Sequence, residues 1–218
     1  SSTLSPSSAA SDVYKRQDFF NPKSRGTPLD IPEPYVFTTG RTEWTKGFDL
    51  LVKAFRRVVE RYRDVRLVIG GGSQKPSKIE REVRSEIEKI ARRYGIERNV
   101  IQTGRIENRL LPTFYARSRL VVLSSRYDLF GMVAMEALSC GRPVVVSKYA
   151  GVHKLVREEF GIVVDPYNEE ELAGAIITLL EDPERVEEMG RYGRMFIEQK
   201  FTWEKLATRL MDEYTMLI

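Results

Sequence analysis

One cysteine and one histidine among 218 residues remove whole classes of chemistry. Cys140 by itself cannot build an internal disulfide framework, and its solitude fits a reducing, cytoplasmic setting. His153 by itself cannot build a multi-histidine metal site, so no metal is expected. Acid–base work then falls to carboxylates, lysines or tyrosines. No apolar run approaches the ~20 residues of a membrane span. Charge of one sign is also scarce in excess. The 35 Lys+Arg against 31 Asp+Glu leave +4, too little to argue for nucleic acid, and no basic stretch is interleaved with aromatics. The Gly70-Gly71-Gly72 run lacks the spacing of G-x-G-x-x-G or of a P-loop lysine and reads as a tight turn.

What remains is an ordinary globular balance, 42% hydrophobic and 30% charged, on a chain long enough for one sizeable core. Residues 1–17 are Ser- and Ala-rich without periodicity and read as a disordered, non-native leader. Residues 18–34 hold four prolines among turn formers and read as a linker. Residues 35–218 form the domain. There, short Val/Ile-rich runs alternate with helical periods. Strands are expected at Tyr35–Thr39, Val65–Ile69, Val100–Gly104, Leu120–Ser124, Val144–Ser147 and Gly161–Val164. Phe48, Leu51, Val52, Phe55, Val58, Val59 and Tyr62 recur as one face of a helix. Ile79, Val83, Ile87, Ile90, Ala91 and Tyr94 mark a second, which Gly95 stops. Pro112 opens a short one. Asn168 with Glu171 resembles a capping box ahead of another, and two more are expected at 183–200 and 202–218. Six strands separated by helices specify an α/β, doubly wound, Rossmann-like parallel sheet with helices on both faces. Ligands of such sheets sit beyond the carboxyl ends of the strands.

The stretch Tyr127 to Gly141 is the centre of the chain. It joins two buried strands through a loop, a glycine and a short helix that is apolar on nearly every side, ended by Gly141. Glu136 is the one carboxylate on that helix and needs a partner, either a ligand or a neighbouring loop. The unpaired N–H groups near Phe130, Gly131, Met132 and Val133 need acceptors, which a phosphate or sugar hydroxyl would supply. Gly40 opens the loop after the first strand and allows close backbone approach to a ligand. Arg41 and Lys46 in that loop suit a diphosphate, or are two solvated charges. Asp128 is a helix cap, a loop residue or a site residue. His153 reaches the rim or decorates the surface. Cys140 reads as packing, as do Trp203, Leu206, Leu210 and Leu217.

The segment from Asp128, D-L-F-G-M-V-A-M-E-A-L-S-C-G-R-P-V-V, resembles the E-P-F-G-x-x-x-x-E-A-x-x-x-G-x-P-V signature of retaining glycosyltransferases with the GT-B fold. Gly40-Arg41-x4-Lys46-Gly47 followed by F-D-L-L-V-K-A-F is similar to that family's phosphate-binding loop and first helix. The pieces F-F-N-P, V-I-G-G-G, T-G-R-I and F-T-W-E-K-L fall in the family's order, and the style leans toward sucrose-phosphate-synthase-like members.

The resemblance implies the donor-binding, C-terminal half of a hexosyltransferase acting on a nucleoside-diphosphate sugar. Arg41 and Lys46 would neutralise the diphosphate, and Glu136 would accept from the ribose hydroxyls. Backbone N–H groups from Phe130 to Val133 would hold sugar or phosphate, Ile106 would lie against the base, and Asp128 would face the transferred sugar. It implies no cofactor beyond the donor substrate. An N-terminal half would bring a sugar, sugar-phosphate or lipid acceptor, so that this chain alone is expected to bind donor and transfer little. Three departures bear on the hexose: Asp128 is one methylene shorter than the family's Glu, Lys154 stands where an acid is usual, and Ala150-Gly151 replaces a glycine pair. Two other readings keep the fold: a non-catalytic nucleotide-sugar-binding module, and a nucleotide-sugar epimerase half.

Overall fold

The structure, a computed structural model, describes residues 19–26, 30–201 and 211. The leader and the final helix with Trp203, Leu206, Leu210 and Leu217 lie outside the described residues.

Six strands form one sheet: β1 (Tyr35–Thr39), β2 (Arg66–Gly70), β3 (Val100–Gly104), β4 (Leu120–Leu123), β5 (Val144–Ser147) and β6 (Gly161–Val164). All neighbours run parallel, in the order β3-β2-β1-β4-β5-β6. That is the doubly wound order, in which the winding reverses between β1 and β4. Val36 pairs with Leu67 on one side and with Leu120 on the other.

Among the described residues, six α-helices cover the sheet: α1 (Phe48–Arg61), α2 (Lys78–Tyr94), α3 (Leu111–Arg117), α4 (Met132–Ser139), α5 (Glu169–Glu181) and α6 (Pro183–Lys200). Because strand side chains alternate, β1 sends Val36 to one core and Tyr35 and Phe37 to the other. β4 divides in the same way, Leu120 and Val122 against Val121 and Leu123. The first core is closed by α1, α2 and α5, the second by α3 and α4, and α6 contributes to both.

The central helix of the first core is α1. Its Phe48, Leu51, Val52, Phe55 and Val58 are all buried, as their 3.6-residue spacing requires. Truncating Leu51 to Ala would cost about 2–5 kcal/mol and loosen α1 from the sheet. Ser77 caps α2 by accepting from the Glu80 N–H, and Gly95 ends it in the left-handed region. Asn168 caps α5 through the N–H groups of Glu170 and Glu171. The reciprocal half of a capping box is displaced: Glu171 accepts from the Asp165 N–H instead, which tightens the turn leaving β6.

The stretch read as a linker is seated on the domain where it is described. Phe20 is buried edge-on against Tyr115, and the 3-10 turn Pro22–Gly26 packs on α3. Two adjacent phenylalanines ahead of a proline carry enough apolar surface to anchor that segment.

Candidate functional site

The carboxyl ends of β1, β2, β4 and β5 meet at one rim, where backbone crowding defines the geometry. Gly47 sits at φ +63, and a Cβ there would lie 2.1 Å from the Ser124 carbonyl oxygen. Gly71 sits at φ +134, and a Cβ there would lie 1.9 Å from the Gly40 carbonyl oxygen. The loop from Gly40 to Gly47 is therefore wedged between the loops after β2 and β4, at distances only glycine permits. The triplet at 70–72 is more than a tight turn. It also receives a polar cluster, in which Glu80 accepts from the Ser73 hydroxyl and N–H, and Arg84 bridges Glu80 and the Gly71 carbonyl. Burial alone raises the Glu80 carboxyl, but these hydrogen bonds and the Arg84 charge outweigh it and hold it below its ordinary range.

Lys46 and Asp128 meet at this rim. The Lys46 Nζ lies 2.6 Å from the Asp128 Oδ2, with the two side chains only 16% and 14% exposed. The lysine stem runs past Gly40, and the other Asp128 oxygen accepts from the Phe130 N–H at 3.3 Å. Since β1 and β4 flank the reversal of the winding, this ion pair spans the crevice where doubly wound sheets hold ligands. Asp128 is fixed further through its backbone, which bridges to Ala150 and accepts from the Gly151 N–H at 2.9 Å.

The other expected residues surround this pair without joining it. Arg41 comes from the same loop but stands 80% exposed, paired with Glu43 at 3.2 Å. Ile106 lies against Gly70, where it screens the end of β2. Phe130 is exposed, Gly131 is buried at φ +93, and Met132 and Val133 are half-buried in the first turn of α4. Gly131 is the N-cap, and no side chain caps this turn, so its N–H groups face the rim with no side-chain acceptor. Glu136 lies one turn further in. It is buried and accepts from the Tyr115 hydroxyl at 2.8 Å, so its need for a partner is met in part by α3. Of the predicted acids and cations, the structure brings Lys46 and Asp128 together. It leaves Arg41 in solvent and turns Glu136 toward Tyr115.

His153 is half-buried in a 3-10 turn, its Nδ1 2.8 Å from the Ala150 carbonyl oxygen. Cys140 is fully buried, and burial pushes its thiol far up, which makes it packing rather than a nucleophile.

Sequence reasoning missed the residues that brace the rim. Arg126 donates from both terminal nitrogens to the two Asp49 oxygens, at 2.7 and 2.6 Å, and also to the Trp44 carbonyl. This fork ties the loop after β4 to the first turn of α1, and hydrogen bonding to Asp49 raises the guanidinium pKa. Ser125, two residues past β4, is fully buried with its hydroxyl unpartnered among the described residues. Around the rim, Trp44, Tyr127, Leu129, Phe130, Tyr149 and Tyr167 expose apolar surface, Leu129 as much as 81%. The one available signal was the run Tyr127–Phe130, too apolar for a free loop.

The model of the family described as glycosyl transferases group 1 matches residues 21–196. A mannosylfructose-phosphate synthase of Agrobacterium fabrum is 31% identical over 180 residues, covering 81% of this chain and 39% of its own length. The sucrose-phosphate synthase of Thermosynechococcus elongatus superposes with a TM-score of 0.81 at 31% identity, covering 92% of this chain and 50% of that one. The C-terminal domain of a glycosyl transferase group 1 family protein (LpcC) from Francisella tularensis has the same fold. It gives a TM-score of 0.72 at 20% identity, with 89% of this chain and 98% of that domain covered. The chain thus spans half or less of the two synthases.

Proposed function

Because the chain belongs to the group 1 glycosyl transferases, we propose that its rim binds a nucleoside-diphosphate sugar for hexosyl transfer with retention. The observation that carries this reading is the Lys46–Asp128 pair at the reversal of the sheet. A diphosphate entering the crevice takes Lys46 as its counter-charge, and Arg41 swings in from solvent as the second. Asp128, released from the lysine, then accepts from a hydroxyl of the hexose. The uncapped start of α4 offers the backbone N–H groups of Gly131, Met132 and Val133 to the same ligand, and that of Phe130, held by Asp128 in the free chain, lies beside them. Ile106 borders the base, and Glu136, positioned by Tyr115, receives the ribose hydroxyls.

In the transfer itself, the bond from the anomeric carbon to the diphosphate breaks and its electron pair leaves with the phosphate oxygen. Lys46 and Arg41 stabilise that developing charge. The acceptor oxygen bonds the anomeric carbon on the face the diphosphate leaves, and its proton ends on the released diphosphate.

The acceptor is supplied by a second half facing the rim. The exposed Trp44, Tyr127, Leu129 and Phe130 support this, since apolar surface clustered at a binding rim marks a contact face. Two of the relatives are named as synthases of phosphorylated disaccharides, which makes a sugar phosphate the first acceptor to try, ahead of a free sugar or a lipid. Alone, the chain binds donor and transfers little. No helix among the described residues is long and apolar enough to cross a membrane, and the buried free thiol supports a reducing, cytoplasmic compartment. Titration with UDP-, ADP- and GDP-hexoses tests the reading. Saturable binding of one of them is expected, and no binding by any at millimolar concentration overturns it.

A further inference from the structure

At the opposite pole, beneath the amino ends of β1, β4 and β5, lies a hollow of about 450 Å³ lined by Arg25, Glu33, Pro34, Arg117, Ser118, Arg119, Arg142 and Glu187. Pro34 immediately precedes β1, Arg119 immediately precedes β4, and Arg142 lies two residues before β5, so this is the end of the sheet farthest from the rim. Four arginines and two glutamates leave two positive charges unmatched in the lining.

Three of the arginines are held in place. Arg117 donates to Glu33 at 2.6 Å, Arg25 to the Ala116 carbonyl at 2.6 Å, and Arg142 to Glu187 at 3.1 Å. Arg142 is almost wholly buried, yet its Nε has no hydrogen-bond partner among the described residues. Arg119 is exposed and forms no ion pair among the described residues. A buried guanidinium N–H without an acceptor leaves its desolvation uncompensated, a state that the Nε atoms of Arg56, Arg57 and Arg84 share here. Together, an orphaned donor, two unmatched charges and a cavity of small-molecule size describe a site for an anion.

We propose that this hollow binds a phosphate monoester of sugar size, away from the donor rim. A monoester dianion matches the two unmatched charges, and its three oxygens suit the forks of Arg119 and Arg142. The volume leaves room for a polyol beyond the phosphate. Arg25, Glu33 and Pro34 precede the sheet, whereas Arg117 and Glu187 lie on α3 and α6 and Arg119 and Arg142 on connections ahead of β4 and β5. The occupant therefore bridges the two, competing with Glu33 and Glu187 for guanidinium groups already paired across that seam.

Calorimetric titration of the full 218-residue chain with glucose 6-phosphate, at fixed ionic strength, tests this. Saturable binding is expected, with inorganic phosphate competing, neutral glucose silent, and saturating UDP without effect. R119Q should weaken it by about tenfold, as loss of a charge-assisted bond predicts, while its thermal unfolding stays that of the parent and K46A leaves the affinity unchanged. R142Q should weaken it as well, and R119Q keeps the test open if R142Q fails to fold. No saturation up to about 10 mM, equal affinity in R119Q, or competition by UDP would each overturn the proposal.

Discussion

The Lys46 ammonium and the Asp128 carboxylate, carried on loops from the two strands where the sheet reverses, lie 2.6 Å apart and mostly out of solvent. A cation already matched by a carboxylate is not free for a phosphate. In the proposed function, donor binding at this rim is an exchange of partners, in which Asp128 competes with the diphosphate for Lys46.

That competition has a measurable sign. D128N removes the competing charge, so UDP or GDP without sugar should bind roughly fivefold tighter, as a partly buried pair worth ~1 kcal/mol implies. The preference for nucleotide sugar over bare nucleotide should shrink in the same variant. Weaker UDP and GDP binding in D128N would show that the carboxylate does not oppose the ligand.

The Arg126–Asp49 fork makes a stability prediction. Asp49 is buried, and removing its partner strands a carboxylate in the first turn of α1. R126A should lower the unfolding free energy by about 2 kcal/mol in urea titrations. D49N, which leaves a neutral amide facing Arg126, should cost less.

Much of the architecture was legible because it repeats locally. Val36 against Tyr35 and Phe37 announces a strand buried on both faces, and Phe48 to Val58 announces the covering helix. Gly95 and Gly141 mark helix ends by the one conformation other residues avoid, at φ +67 and +70. The demand of Glu136 for a partner could also be read, since a carboxylate on an apolar helix is unstable unpaired. That the partner is Tyr115, 21 positions away on another helix, could not. The same holds for Arg126 and Asp49, separated by 77 positions, and for the direct meeting of Lys46 with Asp128 across 82. Motif spacing identifies which residues share a rim. It carries no information on which of them neutralise one another, because that depends on how loops from different strands are pressed together.

Tyr115 tests the buried acid. Y115F keeps the ring packed against Phe20 and Phe37 while deleting the donor to Glu136. A loss of about 1–2 kcal/mol in chemical denaturation is expected. Weaker donor binding should accompany it if the tyrosine orients the carboxylate for ribose. Unchanged stability would mean the hydroxyl bond contributes nothing net.

Glu80 predicts a pH dependence. Its folded pKa is held below the ordinary 4.5, so its contribution to stability is complete above that value. The contribution is lost as pH falls through the depressed folded value. Urea midpoints measured from neutral to acid pH should fall less steeply in E80Q than in the parent. An identical acid limb in the two proteins would remove Glu80 from the pH response.

The most direct test of the donor rim is calorimetric titration of UDP and GDP into the parent and K46A. Whichever nucleotide the parent binds should bind K46A more weakly by about 1.5–3 kcal/mol, tenfold or more, with unfolding little changed. Equal affinity in the two proteins would take Lys46 out of the site and contradict the account.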